Sequence, residues 1–353
     1  MNEMLDVLRT LTEMPGPVGF EASVNGWLAE RWRDRCLETE ITELGNLVAH
    51  VGGTGPRILL LAHADEVGFV VKSMSDDGFL WIESWAGRFP NQPLLWEYVA
   101  GQPALILGER GAVEGVFATV TGHLAAILRE REGIHLDADH VFVDIGGRSR
   151  EEVQEWGVRV GTPIIWNPPT RRIGGLICGK AMDDRAGLAI LDALLQRLEV
   201  SRLRYDVYLG SVVAEEIGSV GVRSLCRRVN PELAIVVETA LVGDTPLVDP
   251  KDVPVRLKDG PVLIHKDNRV VYDPELSKGV MRAAAGIDAP IQHAVYSMFG
   301  TDGSETIREG TRTVAVGFPT RYTHSPFETV DAGDLQQTVA VLRAFLETEA
   351  MAL

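Results

Sequence analysis

His63, Asp65, Asp183, Glu215, Glu216, Glu238 and His324 are the side chains of this 353-residue sequence whose types and placement suit hydrolytic chemistry. His63 follows the apolar run 57–62, which reads as a buried strand behind the Gly52-Gly53 turn. An imidazole is a good ligand for zinc or cobalt, and a carboxylate two residues on, Asp65, can hold the ring in orientation. Three further apolar runs lead into the same kinds of side chain. Tyr205–Val213 runs into Glu215-Glu216, Leu233–Val237 ends at Glu238, and Thr313–Phe318 is followed by Tyr322-Thr323-His324. Asp183 stands just before a helix, in Lys180-Ala181-Met182-Asp183-Asp184-Arg185. In open α/β sheets, ligands gather at the carboxyl ends of strands. Each piece alone has an ordinary explanation: a satisfied structural histidine, a helix cap with a surface ion pair, a solvated Glu-Glu loop, a His-Ser-Pro turn. Their co-occurrence, each where an α/β site would lie, points to chemistry.

Two imidazoles and three carboxylates can hold two divalent ions if one carboxylate bridges them. Two metals about 3.5–4 Å apart clamp a water, lower its pKa and polarise a carbonyl. One more carboxylate must stay off the ions to move protons, because amide hydrolysis has to protonate a poor amine leaving group. The Glu215-Glu216 pair offers both roles, since neighbouring side chains near a strand end diverge.

The elements that must position these groups follow an α/β pattern. Met4, Leu5, Leu8 and Leu11 lie at helical spacing before Pro15 and Pro17, and Val24, Trp27, Leu28 and Trp32 line a second amphipathic helix. Helices are predicted over 186–198, through Val222-Leu225-Cys226, and over 332–346 with Asp331 as N-cap. The resulting fold class is α/β, a mixed and largely parallel sheet flanked by helices, built from residues 1–71 and 164–353. Between them, from about Lys72 to Pro163, the texture changes. Short runs such as Phe79-Leu80-Trp81-Ile82, Ala104-Leu105-Ile106-Leu107 and Val141–Ile145 alternate with Gly, Asp and Pro turns. This reads as a small β-rich domain inserted into the α/β domain, one continuous mixed fold being the alternative. Strand edges on such an insertion would favour self-association.

The net charge of −16 argues against nucleic acid and anionic membrane surfaces, both of which need basic patches. Cys36, Cys178 and Cys226 are widely spaced and form no Cys-x-x-Cys pair, so neither a disulfide framework nor a thiolate zinc site is implied. With no basic-then-apolar start and no apolar run of membrane length, a cytoplasmic protein is expected.

At several stretches the sequence resembles the glutamyl aminopeptidase-like, or tetrahedral (TET), metallo-aminopeptidases. The resemblance runs over essentially the whole chain. It includes Pro15-Gly16-Pro17-Val18-Gly19-Phe20-Glu21, Ala62-His63-Ala64-Asp65-Glu66-Val67-Gly68, Val143-Asp144-Ile145-Gly146 and Gly157-Val158-Arg159-Val160-Gly161. Lys180-Ala181-Met182-Asp183-Asp184-Arg185-Ala186-Gly187, Glu215-Glu216-Ile217-Gly218 and Tyr322-Thr323-His324-Ser325-Pro326 complete it. The resemblance implies a zinc-exopeptidase type of fold with a PDZ-like dimerisation domain at 72–163. It implies that His63 binds the first metal, Asp183 bridges both, Glu216 and His324 complete the second, Glu215 is the general base and acid, and Asp65 orients His63. The remaining ligand is typically an Asp, where this chain has Glu238. Glu is one methylene longer and still ligates zinc or cobalt. Gly300-Thr301-Asp302-Gly303-Ser304-Glu305 resembles the family's Gly-Thr-Asp loop beside the substrate, but continues with other than small apolar residues.

The activity so implied is removal of the N-terminal residue from short peptides, with two Zn²⁺ or Co²⁺ ions, or Mn²⁺, and with dimers that build a tetrahedral dodecamer. Competing expectations are a di-metal deacylase or dipeptidase on the same ligands, a non-catalytic homologue weakened at Glu238, and a glucanase, which would need two carboxylates and no metal.

Overall fold

Arg57–His63 is apolar at almost every position because both faces of its strand are covered. In the computed structural model, which describes residues 2–85, 96–125, 127 and 136–347, this run is β3 (Arg57–His63). It lies parallel to β12 (Asp206–Val212) on one side and β13 (Leu233–Leu241) on the other, and β13 lies parallel to β16 (Arg312–Arg321). Side chains alternate across the sheet. Ile58, Leu60 and Ala62 enter one apolar cluster, and Leu59 and Leu61 enter another. Full burial of such a side chain contributes about 1.5–3 kcal/mol, so a strand with two covered faces has no place for polar residues until its end.

Helices cover the sheet. Met4, Leu8 and Leu11 of the helix Asn2–Glu13, and Val24, Leu28 and Trp32 of the helix Ala22–Trp32, join the first cluster. Every residue of Met182–Leu195 is buried, so this helix is the central one beneath the sheet. It starts and ends earlier than the predicted 186–198, because Met182 already sits in the core and Gln196 caps the end. Val222–Val229 covers the other face, and Gly210 of β12 lets it approach: a Cβ there would meet Leu225 at 2.6 Å. The helix Ala332–Glu347 begins as expected, with Asp331 Oδ1 accepting from the Gly333 N–H at 2.8 Å.

Among the described residues the sheet has eleven strands. Its main path adds β1 (Glu38–Ile41) and β2 (Leu47–Gly52) beside β12, and β17 (Glu328–Asp331), β11 (Leu176–Gly179) and β10 (Arg171–Ile173) beyond β16. β14 (Val262–Lys266) pairs with β16 and with β15 (Gln292–Val295). Two strands exceed the lengths read from sequence. β13 continues past Glu238 to Leu241, and β16 past Phe318 to Arg321, because the two stay paired from Leu233↔Arg312 to Leu241↔Thr320.

The chain divides into two compact units, Met1–Glu66 with Thr170–Thr323 and Glu328–Leu353, and Val67–Pro169 with the short stretch His324–Phe327. In the second unit, β4 (Phe69–Met74), β5 (Leu80–Ser84), β6 (Pro103–Gly108), β7 (Gly111–Ala118), β8 (Phe142–Asp144) and β9 (Pro163–Trp166) form a closed barrel in the order β4-β5-β8-β7-β6-β9. Phe69 packs inside it on Phe117 and Trp166, with ring centroids 5.0 and 5.4 Å away. With β4 paired to β9 through Phe69↔Ile164, the barrel's first and last strands pair with each other.

Candidate metal and catalytic site

Strand parity brings the first pair of site residues together. His63 continues the alternation of Leu59 and Leu61, and Glu238 that of Ala234 and Val236, so both face the side of the second cluster. The pairing Val236↔Leu61 puts them level on neighbouring strands. His63 Nε2 lies 4.0 Å from Glu238 Oε1, and both residues are buried. The extra methylene of Glu238 is taken up by a turn-back: its Oε1 accepts from the N–H of Thr239 at 2.8 Å. Glu238 thus sits within a strand and faces inward.

Asp183 reaches the same point from the start of its helix. Asp183 and Asp184 depart from helical dihedrals, and the peptide joining them is cis. Asp183 Oδ1 lies 3.1 Å from His63 Nε2, and its N–H donates to Glu328 Oε2 at 2.9 Å. Asp184 turns the other way, and its Oδ2 accepts from the His63 N–H at 3.0 Å. Gly187 leaves room for that carboxylate, since a Cβ there would meet Asp184 Oδ1 at 2.3 Å.

The loop after β12 carries Glu215 and Glu216. Asp65 holds it, Oδ1 accepting from the Glu215 N–H at 3.0 Å and Oδ2 from the Glu216 N–H at 2.9 Å. Asp65 also faces His63, whose Nδ1 lies 3.2 Å from its carbonyl oxygen and 3.5 Å from its Oδ1. One carboxylate therefore ties the His63 strand end to the Glu-Glu loop. Asn46 closes the loop at its base, accepting from the Val213 N–H and donating to the Gly221 carbonyl, each at 3.0 Å. His324, partly buried and at φ +60°, stands between β16 and β17.

Among the described residues, two donor groups result. Ligand atoms of His63, Asp183 and Glu238 lie within 4.8 Å of one another, and so do those of Asp183, Glu216 and His324. Asp183 belongs to both. Glu215 belongs to neither, and its Oε1 receives a hydrogen bond from the Ser219 hydroxyl at 3.1 Å.

Electrostatically the cluster is short of positive charge. Burial, and then the carboxylates of Asp184 and Asp183, hold Glu238 well above the usual carboxylate range. Burial raises Glu215 likewise, with Asp302 and Glu216 adding to it against the pull of His63. Burial pushes Asp302 up to about 7. For His63 burial works downward, yet hydrogen bonds to Asp183 and Asp65 outweigh it and hold the imidazole well above its ordinary value. Asp65 is lowered, because His63 and the two loop N–H groups together overcome its burial. The buried cations Lys180 and Arg185 are engaged elsewhere: Lys180 Nζ donates to Glu66 at 2.7 Å and Arg185 to the Leu11 carbonyl at 2.7 Å. Imidazole and carboxylate donors in threes around a shared carboxylate, inside an uncompensated anionic cluster, fit divalent cations.

All seven side chains singled out from sequence come together in or against this cluster. Sequence reading missed the residues that hold them. Asp184 was indistinguishable from Asp183 by type, and Asn46 stands far from the Glu215-Glu216 loop in the sequence. Glu328 and Ser219 gave no signal of type or spacing, whereas Asp302 stands in the Gly-Thr-Asp stretch noted above. Glu305, unlike the small apolar residue expected after the Gly-Thr-Asp stretch, is paired with Arg223 and Arg308, which explains how a buried acid is tolerated there.

Acid and imidazole donors converging where the central parallel strands of a helix-flanked sheet end form an α/β site whose donors could hold metal ions. Residues 45–341 match the model of the M42 glutamyl aminopeptidase family, and the chain belongs to that family. It is 30% identical to the lysyl aminopeptidase of Pyrococcus furiosus over 97% of this chain and 96% of that one. A TET aminopeptidase from the marine sediment archaeon Thaumarchaeota archaeon SCGC AB-539-E09 superposes with a TM-score of 0.91 at 28% identity, over 99% of this chain and 97% of that one. The TET1 peptidase of Pyrococcus horikoshii, which can assemble into a tetrahedron or a large octahedral shell, gives 0.86 at 25% identity over 98% and 100%. The chain is thus an aminopeptidase, a hydrolase acting at peptide N-termini.

Proposed function

We propose that this aminopeptidase works with two divalent ions, Zn²⁺ or Co²⁺ or alternatively Mn²⁺, and that Glu215 carries its protons. His63, Asp183 and Glu238 would hold one ion, and Asp183, Glu216 and His324 the other. The observation that carries the reading is the sharing of Asp183 between two donor groups with Glu215 beside them and outside both. When bound, the ions supply Lewis-acid polarisation of the scissile carbonyl and acidify the attacking water. Glu215 takes the proton of that water at a carboxylate oxygen and delivers it to the nitrogen of the departing amine. Asp65 keeps the imidazole of His63 turned inward and fixes the backbone of Glu215 and Glu216, so that a single side chain sets the spacing between ligand and base.

Short peptides are the proposed substrates. The test is a panel of aminoacyl-arylamides against N-acyl amino acids and dipeptides, before and after chelation. Hydrolysis of the free-amine arylamides should disappear on chelation and return with added Zn²⁺ or Co²⁺. A preference for N-acyl amino acids would replace the aminopeptidase reading by deacylation.

Self-association through the barrel unit is proposed as well, building dimers and a tetrahedral dodecamer. Its support is the assembly of the P. horikoshii relative and a half-exposed aromatic cluster, Phe142 edge-on to Phe79 and Trp81 with centroids 5.3 and 5.8 Å away. A monomer in sedimentation analysis would remove it. Three free thiols, Cys36, Cys178 and Cys226, support a cytoplasmic location, which cell fractionation tests.

A further inference from the structure

Ser219 lies four residues after Glu215, buried, with a backbone φ of +59°. Glycine adopts that conformation without the steric penalty that a Cβ brings. A serine in that place is explained if its hydroxyl is used. Three charged groups converge on it. Ser219 Oγ lies 3.1 Å from Glu215 Oε1, accepts from Arg269 Nη1 at 3.3 Å, and lies beside the Asp302 carboxylate. Its own N–H donates to the Glu215 carbonyl at 2.8 Å, which closes the turn between them.

A hydroxyl has one proton and two lone pairs, a guanidinium only donates, and an ionised carboxylate only accepts. Arg269 therefore occupies a lone pair of Oγ and turns its proton toward the carboxylates. Glu215 has a broad, nearly two-fold terminal torsion and would otherwise sample several orientations.

We infer that Ser219 is a positioning residue for Glu215, holding Oε1 so that Oε2 faces the proton to be moved. This rests on the proposed role of Glu215. Since a misplacement of about 1 Å costs catalysis on the order of 10²-fold, loss of the hydroxyl should lower kcat by about 10–100-fold. KM should stay within about two-fold, because an interaction that acts on the chemical step leaves ground-state binding alone.

Ser219→Gly is the informative variant, because it removes the hydroxyl and the positive-φ penalty together. The expected result is a lower kcat, an unchanged KM and a melting temperature equal to or above that of the parent. A hydroxyl that serves only structure gives the reverse, a lower melting temperature with unchanged kcat. Ser219→Ala keeps the backbone penalty and should show the same kcat loss without the gain in melting temperature. Adding Ser219→Gly to Glu215→Gln should slow the residual reaction no further; an additive loss would mean that the hydroxyl acts elsewhere. Near-normal turnover in Glu215→Gln would overturn the role of Glu215 itself. An inactive Glu215→Gln with a fully active Ser219→Gly would overturn this inference alone.

Discussion

Glu215→Gln should reduce kcat by about 10²–10⁴-fold, the usual contribution of a positioned general acid–base group. It should do so without changing ion content. The amide is nearly isosteric with the carboxylate and can still accept from the Ser219 hydroxyl, so the loop is not expected to move. Glu215 also lies outside both donor groups, so neither loses a ligand. Stability should rise slightly or stay level, because a buried carboxyl crowded by Asp302 and Glu216 becomes permanently neutral. Kinetics with and without chelation, alongside a melting curve, checks all three points. Ion loss in the variant would show instead that Glu215 is a ligand.

Asp183→Ala should have the broader effect. Each donor group falls from three protein ligands to two, because Asp183 is common to both. Turnover should drop below detection, and added ions should no longer protect the fold. Saturating ligand at about 1,000 times Kd stabilises a protein by roughly 4 kcal/mol. The parent should show a shift of that order between chelated and ion-loaded forms, and the variant almost none. In chelated samples the order should invert, the variant melting no lower than the parent, since one carboxylate has left an uncompensated cluster. The bond from the Asp183 N–H to Glu328 belongs to the backbone and survives the substitution.

Much of this arrangement was legible because a parallel sheet exposes its chemistry at strand ends. Arg57–His63 changes from apolar to donor residues at the strand's carboxyl end, and the alternation along β3 and β13 is enough to set His63 and Glu238 on one side. What holds those donors was not legible. Asp184 supports His63 through a backbone N–H, and Asn46 supports Val213 through another. Main-chain partners leave no trace in residue spacing. The bounds of β13 and β16 depended on their mutual pairing, which no local pattern announces. The barrel's closure through Phe69 and Ile164 joins strands almost a hundred positions apart, so the texture of short runs revealed β structure and hid the closure. The helix Pro274–Gly286 also carries its own signals: Asp273 caps it before a proline, and Leu276, Val280 and Ala284 line its buried face.

The most direct measurement is anomalous diffraction at the metal edge from zinc-loaded crystals of the unaltered chain. Two ions per chain are predicted, one touching His63 and Glu238, the other Glu216 and His324, with Asp183 on both and Glu215 on neither. A single ion, or an ion bound by Glu215, would contradict the account.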